Sequence, residues 1–190
     1  MNKRKTLITI SFSIIILCLI NFARAESLPV PYVAKGACPF EGCTYGIWYV
    51  LKDTYAYEKP DKKSLEIGQV KQGEKVRAVT GNVYVIPGRA KVTGKPHSSA
   101  SNLDPEKEIF ILDYMGEGLS RVFQDGIYAE VKIARSKNRC KDDPNWRYCW
   151  VEVIEEPIST WWVYIESLDG KIKGWVLMED EALKPIGSLS

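Results

Sequence analysis

Residues 159–178 read STWWVYIESLDGKIKGWVLM. Aromatic and β-branched side chains are concentrated on both sides of a polar turn at residues 168–171, and this pattern predicts a β-hairpin. Trp161 and Trp162 are neighbours on the first strand, so their side chains must point to opposite faces of the sheet. One indole can fill a core while the other lies outside. The hairpin therefore predicts a small β-barrel with a dense aromatic surface.

The first 25 residues have the layout of a secretory signal peptide. A basic start precedes a mostly apolar run over residues 7–22, and the small residues within 23–25 supply a cleavage site. A retained membrane anchor is the weaker alternative because polar residues interrupt the run. Acylation at Cys18 is also disfavoured, since a small residue is expected before that cysteine and Leu17 stands there. We expect an exported chain, periplasmic or secreted, that begins near Glu26 and keeps no membrane anchor.

Cleavage at this site changes the formal charge of the chain from +2 to −2, because four basic residues and no acidic residue leave with the signal. The mature surface is then of mixed sign. Nucleic-acid binding would need a concentrated basic patch, and membrane-surface binding through charge would need a polybasic segment. Neither partner is expected.

Four cysteines remain after cleavage, an even number that is typical of two disulfides in an exported chain. Three pairings are possible. We favour Cys38 with Cys43 and Cys140 with Cys149 because each pair closes a short loop that contains turn residues. A four-cysteine zinc site is the alternative. It is disfavoured because structural zinc prefers pairs typically two to four residues apart, and the second pair is more widely spaced.

Short segments of strand composition alternate with turns along the mature chain. Residues 26–47 are rich in Pro, Gly and Cys and predict an irregular, disulfide-stapled leader, while residues 94–102 predict a long loop. Asp125-Gly126 is a strong hairpin-turn signal, and residues 179–183 can form one helical or 3-10 turn. No window has a sustained helical period, so the predicted fold is all-β. The predicted strands are residues 48–58, 66–70, 75–80, 83–86, 90–93, 108–114, 119–123, 127–134 and 149–154 and the hairpin 161–177.

Two parts of the chain resemble the bacterial SH3-like family, often written SH3b. Residues 56–76, AYEKPDKKSLEIGQVKQGEKV, are similar to the opening of that family, in which a Pro-containing loop precedes a strand and a Lys-x-Gly-Glu turn. Residues 161–163 with Asp169-Gly170 and residues 174–176 are similar to its closing half. The resemblance implies an SH3-like barrel that acts as a noncatalytic module and recognises cell-wall peptides or other protein segments.

The two matching parts lie about a hundred residues apart, which is more than one small module needs. We therefore expect two SH3-like β-barrels in tandem, the first over residues 48–103 and the second over residues 104–190. One barrel with a long β-rich insertion is the alternative.

The resemblance also implies a candidate binding site. In SH3-like barrels the outer tryptophan often lines a shallow peptide groove, and Trp161 is assigned that position. Aromatic side chains offer a large contact area at a low rotamer cost. The alternative is that these rings mostly build the cores of the barrels. The predicted ligand-binding residues are Trp161, Tyr164, Trp175, Tyr55 and Tyr57.

The function that we predict is an exported, noncatalytic binding module that recognises a peptide or peptidoglycan stem and needs no cofactor. One alternative is an assembly or inhibitor protein whose partner is another exported protein. A less favoured alternative is an envelope hydrolase that uses two carboxylates held across a cleft. Its candidate acids are Asp113 with Glu117, or members of the set Glu152, Glu155 and Glu156.

His97 is the only histidine of the chain. It stands in a loop rich in Pro and Ser, and the sequence has no nucleophile-elbow motif to pair with it. We therefore expect a solvated loop residue rather than a catalytic base.

Overall fold

The computed structural model describes residues 27–37, 43–94, 102–116, 118–134, 140 and 148–186. Within these residues the chain forms two β-sheets, which confirms the predicted all-β class. The 3-10 turn predicted near the C-terminal end is also present, at Glu179–Glu181. The strands are β1 Tyr32–Lys35, β2 Gly46–Val50, β3 Thr54–Tyr57, β4 Glu66–Val70, β5 Lys75–Ile86, β6 Gly88–Val92, β7 Glu108–Gly116, β8 Leu119–Gln124, β9 Ile127–Lys132, β10 Val151–Glu155, β11 Ile158–Ser167, β12 Lys173–Leu177 and β13 Leu183–Pro185.

The larger sheet has the order β13-β2-β5-β11-β12-β3-β4, and β1 also pairs with β5. Its centre is β5, a strand of 12 residues. One edge of β5 pairs with β11 along nearly its whole length, while the other edge pairs first with β2 and then with β1. The aromatic hairpin β11–β12 therefore lies in the middle of the sheet, between β5 and β3.

One face of the larger sheet encloses a hydrophobic core. Alternate residues of β5 point into it, as expected for a strand with one buried face. Burying apolar side chains of this size removes them from water and supplies the main favourable term in folding. The buried members of this core are Ala34, Trp48, Val50, Ala56, Val70, Val76, Ala78, Val83, Val85, Trp161, Val163, Ile165, Val176, Ala182 and Leu183.

The smaller sheet has the order β10-β6-β7-β8-β9 and a core of its own. Asp125 and Gly126 form the two-residue connection of β8 to β9, and both have positive φ angles, 48° and 89°. This is the left-handed conformation that a type I′ hairpin turn requires, so the predicted turn is confirmed. The buried members of the second core are Ala90, Val92, Leu103, Ile109, Ile111, Val122, Val131, Ile133, Trp150, Val151 and Val153.

The smaller sheet is inserted between β5 and β11 of the larger one. The chain leaves the larger sheet at Pro87 and returns at Pro157, and the two crossings run side by side, because Ile86 pairs with Ile158 and Arg89 pairs with Glu155. Strands from both predicted tandem units, residues 48–103 and 104–190, thus share one sheet.

Other differences from the predicted strands follow from long-range pairing. The predicted irregular leader contains β1 and the start of β2, because β5 offers an edge to both. Residues 48–58 form two strands instead of one, with a break at residues 51–53. The two segments predicted at 75–80 and 83–86 run on through Gly81 as the single strand β5.

Cys140 and Cys149 form a disulfide, with Cα atoms 5.5 Å apart. This confirms one of the two predicted pairs, and the bond is compatible with an oxidising, exported environment. The other predicted pair includes Cys38, which lies outside the described residues, as do the predicted signal peptide and His97. In the part of the chain that the structure describes, no helix has the length and apolar character needed to cross a membrane.

The turn between β11 and β12 is closed by the carboxylate of Asp169, which gives a titration prediction. Asp169 accepts hydrogen bonds from the hydroxyl of Ser167 at 2.7 Å and from the backbone N–H of Lys171 at 3.1 Å. These contacts, with the Lys171 ammonium, lower the pKa of Asp169 from 3.8 to about 2. Because the folded pKa is lowered, the stabilisation is present above about pH 4 and is lost as the pH falls towards 2.

We expect NMR titration of the Asp169 carboxyl carbon to give a midpoint near 2. Replacing Ser167 by Ala removes the largest cause of the shift and should move the midpoint upwards. An ordinary aspartate titration in the wild-type protein would contradict the hydrogen bonding described for this turn.

Candidate functional site

The outer face of the larger sheet carries a continuous group of aromatic side chains. On β11, Trp161, Val163 and Ile165 belong to the core, so the alternating residues Trp162 and Tyr164 point outwards. Register extends this group across the sheet, because Tyr164 pairs with Trp175 on β12, which in turn pairs with Tyr57 on β3. We call the set Trp162, Tyr164, Trp175, Tyr57 and Tyr55 the outer aromatic face.

Four of the five rings of the outer aromatic face form two edge-to-face pairs. The centroids of Tyr164 and Trp175 are 5.4 Å apart, and those of Tyr57 and Trp162 are 5.7 Å apart. Edge-to-face pairs at this spacing are favourable because the positive edge of one ring meets the negative face of the other. Trp162 is only 4% exposed and forms the floor, whereas Tyr55 is 44% exposed. The face is thus a fixed platform with accessible rings.

The structure places four of the five predicted ligand-binding residues on this face and moves the fifth, Trp161, into the core. The Trp161 side chain is 8% exposed and packs edge to face against Trp48, with ring centroids 5.9 Å apart. The two neighbouring tryptophans do point to opposite faces, as predicted. The outward one is Trp162. Trp161 points to the same face of the strand as the aliphatic residues Val163 and Ile165, which belong to the core.

A shallow groove of about 200 Å³ lies at one end of the outer aromatic face. Tyr55 and Tyr57 form its aromatic side, and ion pairs stand around it: Lys62 with Glu179 at 2.8 Å, and Lys71 with Asp53 at 2.9 Å. A backbone hydrogen bond from Gln72, and then the Lys71 ammonium, lower the pKa of Asp53. The lining residues are Lys52, Asp53, Thr54, Tyr55, Tyr57, Lys62, Leu177 and Glu179.

This groove combines flat aromatic surface with charges of both signs. Its volume is below the range of roughly 300–1,000 Å³ that is usual for enclosed small-molecule pockets. Its size therefore suits part of an extended ligand more than a compact molecule held whole.

A second concave region lies between the two sheets, and sequence reasoning did not find it. It is an open depression of about 480 Å³ between β1 and the β7–β8 hairpin. Arg121 on β8 pairs in register with Asp113 on β7 and with Glu130 on β9, so three charged side chains form a row across the strands. The Arg121 guanidinium donates to the hydroxyl of Tyr32 at 2.9 Å, which joins the row to β1. We call this region the intersheet cleft.

The charges of the intersheet cleft are partly buried. Burial raises the pKa of Asp113, and the nearby Arg121 guanidinium offsets part of this rise. Burial disfavours the charged form of Arg121 and so acts to lower its pKa. The hydrogen bond to Tyr32 and the carboxylates of Asp113 and Glu130 outweigh this effect, and the pKa is raised. Perturbed ionisable groups in a concave region are often found at functional sites.

The remaining predicted acids do not form a carboxylate pair across a cleft in the described residues. Glu117, the predicted companion of Asp113, lies outside them. Glu152, Glu155 and Glu156 are exposed on and after β10, and Glu155 accepts from Arg89 at 3.1 Å. The described residues also contain no cluster of three His, Cys, Asp or Glu side chains that could hold a metal ion.

Comparisons with protein-family models, curated proteins and solved structures found no match to this chain.

Proposed function

We propose that this chain is an exported, noncatalytic binding protein that recognises a peptide or peptidoglycan stem through its outer aromatic face. The observation that carries the proposal is the pairing of Tyr164, Trp175 and Tyr57 in register over three adjacent strands. Rings held in this way have little freedom to lose on binding, so contact with a ligand costs little conformational entropy. Tyrosine and tryptophan are also the residues that most often dominate binding energy at interfaces.

The charged side chains at the ends of the groove are suited to a peptide ligand. The four charged side chains at the ends of the groove are each at least half exposed: Lys62, Glu179, Lys71 and Asp53. Each can therefore exchange its present partner for a charge on the ligand. Stem peptides of the cell wall present carboxylates, ammonium groups and apolar side chains together. A groove with tyrosines between ion pairs offers a partner for each of these groups.

We further propose that the larger sheet is an SH3-like barrel interrupted by the smaller sheet. The two segments of sequence that resemble the SH3b family, residues 56–76 and 161–176, both lie in the larger sheet. Most of their separation along the chain is then the insertion between β5 and β11. The disulfide between Cys140 and Cys149 supports export, since such bonds persist in oxidising compartments.

Replacing Tyr55 by Ala should weaken binding of soluble peptidoglycan fragments by about tenfold, which is roughly the loss seen for an ordinary aromatic contact at an interface. Because Tyr55 is 44% exposed, its loss should change the free energy of unfolding little. Calorimetric titration and urea unfolding measure the two quantities.

Tyr49→Ala is the matched control, since Tyr49 is 40% exposed on β2 of the same sheet and does not line the groove. It should leave the affinity unchanged. Equal losses in the two variants would show that the groove has no special role, and full affinity in Tyr55→Ala would remove Tyr55 from the site.

A second candidate function, an assembly or inhibitor protein that binds another exported protein, is favoured by an exposed apolar pair. Ile86 and Ile158 are paired across β5 and β11 where the chain crosses between the sheets, and they are 54% and 62% exposed. Exposed apolar side chains that adjoin one another can mark a protein contact. Replacing both isoleucines by Ser should abolish co-purification of an envelope protein if this is the interface, and should leave peptidoglycan binding intact.

A further inference from the structure

We propose that the outer face of the smaller sheet is a second docking surface, and that it takes an extended basic segment of another protein. Its centre is a row of rings in register over three adjacent strands, which we call the aromatic row: Phe110 on β7, Phe123 on β8 and Tyr128 on β9. The row points away from the core, because the residues next to its members in sequence lie in or against the core: Ile109, Val122 and Ala129. This surface belongs to the other sheet and does not depend on the function proposed for the outer aromatic face.

The rings of the aromatic row pack together and continue to β1. The centroids of Phe123 and Tyr128 are 4.9 Å apart, and those of Phe110 and Phe123 are 6.5 Å apart. The ring of Tyr32 on β1 follows at 6.4 Å from that of Tyr128. Phe123 is 4% exposed and forms the floor, while Phe110 is half-buried and Tyr128 is 42% exposed. The row therefore presents ring surface to a ligand at positions that the packing fixes.

A charged row lies on each side of the aromatic row, and in each of them one cation stands in register between two carboxylates. The first charged row is Asp113, Arg121 and Glu130, on β7, β8 and β9. The second is Glu152, Lys91 and Glu108, on β10, β6 and β7. Side chains that are paired across neighbouring strands lie side by side on one face of the sheet. Each charged row therefore has one carboxylate in excess.

The negative charge of this face is accessible to a ligand. Arg89 and Glu155 continue the aromatic row on β6 and β10 and neutralise each other, with N–O contact at 3.1 Å. Four of the five carboxylates in the three rows are exposed: Glu108, Glu130, Glu152 and Glu155. The groups next to the rows leave the balance unchanged, because Lys132 adds one positive charge while Lys107, between Asp104 and Asp125, leaves one negative charge in excess. The net charge of the face is therefore negative, which attracts a cationic partner.

Aromatic rings beside carboxylates favour arginine as the cation. A guanidinium can stack on a ring and donate two hydrogen bonds to a carboxylate, because it is planar. Tyr128 and Glu130 are two residues apart on β9, so their side chains lie on the same face. One arginine of the partner can therefore contact the ring of Tyr128 and the carboxylate of Glu130 together.

The spacing of the carboxylates favours an extended segment over a small cation. Glu155, Glu108 and Glu130 lie on β10, β7 and β9, and each is two strands from the next in the order β10-β6-β7-β8-β9. Neighbouring strands are about 4.8 Å apart, so these steps measure roughly 10 Å across the sheet. An extended chain of the polyproline II type returns to the same face every third residue, after about 9 Å. A segment with basic residues at every third position therefore fits the face.

The test uses the capped peptide Arg-Ala-Ala-Arg-Ala-Ala-Arg as the probe, with Glu or Gln in place of each Arg in its acidic and neutral counterparts. Binding to the purified, oxidised protein is followed by NMR at the backbone amides of Phe110 and Tyr128. We expect saturable shifts with the arginine peptide, with a Kd of about 0.1–1 mM at low salt, and none with the other two peptides. Glu108→Gln combined with Glu130→Gln should weaken binding about tenfold. Tyr128→Ala should weaken it about threefold or more, and Tyr128→Phe, which keeps the ring, should not.

Glu58→Gln combined with Glu66→Gln is the matched control, because it changes the net charge equally at two exposed residues in or next to the larger sheet. It should bind the arginine peptide as the wild type does. The proposal is overturned if the three peptides act alike, if the control loses as much affinity as the Glu108 and Glu130 double variant, or if that double variant binds as the wild type does. Spermine that binds as tightly as the peptide would also overturn it, since the surface would then take a small polycation. The comparison of peptides on the wild-type protein decides the question even if a variant does not fold.

Discussion

Replacing Trp161 by Ala lowers the free energy of unfolding by about 3–5 kcal/mol, the cost that is usual for removing a buried tryptophan. The indole is 8% exposed, packs against Trp48, and belongs to the core of the larger sheet. Trp161 also forms a hydrogen bond with Tyr45, which offsets part of the rise that burial causes in the pKa of Tyr45. The variant loses this bond as well. Urea unfolding followed by circular dichroism measures the loss.

Trp175→Ala is the matched comparison, since Trp175 is a tryptophan of the same hairpin that points outwards and is only partly buried. Its loss should cost about 1–2 kcal/mol, in proportion to the smaller buried area. If Trp161→Ala were as stable as the wild type, the assignment of Trp161 to the core would be wrong, and the register of β11 would have to shift by one residue.

Replacing Gly88 by Ala destabilises the protein by about 3 kcal/mol, at the upper end of what overpacking usually costs. Gly88 begins β6, where the chain enters the smaller sheet, and it is buried against the second crossing. A Cβ atom there would meet the carbonyl oxygen of Glu155 and the backbone nitrogen of Pro157. Backbone atoms cannot turn away as a flexible side chain can, so the two crossings would have to separate.

Gly94→Ala provides the control for this prediction. A Cβ atom at Gly94 would lie 3.4 Å from the nearest atom, in Trp150, so it needs at most a small adjustment. The variant should unfold like the wild type in urea. A Gly88→Ala protein of wild-type stability would show that the crossings between the sheets are not in contact as described.

The turns and the hairpin were predictable because short-range chemistry determines them. Asp125-Gly126 requires positive φ angles at both positions, and once this two-residue turn is placed, the pairing of Arg121 with Glu130 follows by counting along the strands. Two members of the charged row formed by Asp113, Arg121 and Glu130 were therefore implied by the sequence. Tyr32 was not, because it comes from a segment almost ninety residues away and reaches Arg121 only through the fold.

The order of the strands could not be predicted, because it depends on contacts between distant parts of the chain. The pairing of β5 with β11 joins residues more than seventy positions apart. Strand composition indicates that a segment pairs, but it does not name the partner. The sequence therefore favoured two separate units, whereas the chain makes one larger sheet and places the smaller one between two of its strands.

The assignment of Trp161 to the surface was wrong for a reason that the sequence contains. Neighbouring residues on a strand point to opposite faces, but this rule does not say which face is buried. Val163 and Ile165 have the same parity as Trp161 and are aliphatic, whereas Tyr164 and Glu166 have the parity of Trp162. Counting the aliphatic residues of each parity would have placed Trp162, not Trp161, on the outer face.

We propose that the outer aromatic face binds the cell wall without cleaving it, and co-sedimentation with isolated peptidoglycan sacculi measures both binding and cleavage. We expect the wild-type protein and Tyr49→Ala to pellet with the sacculi, Tyr55→Ala to remain largely in the supernatant, and no peptidoglycan fragments to be released. Wild-type protein that stays in the supernatant would contradict cell-wall recognition, and fragments released by the wild type would contradict a noncatalytic role.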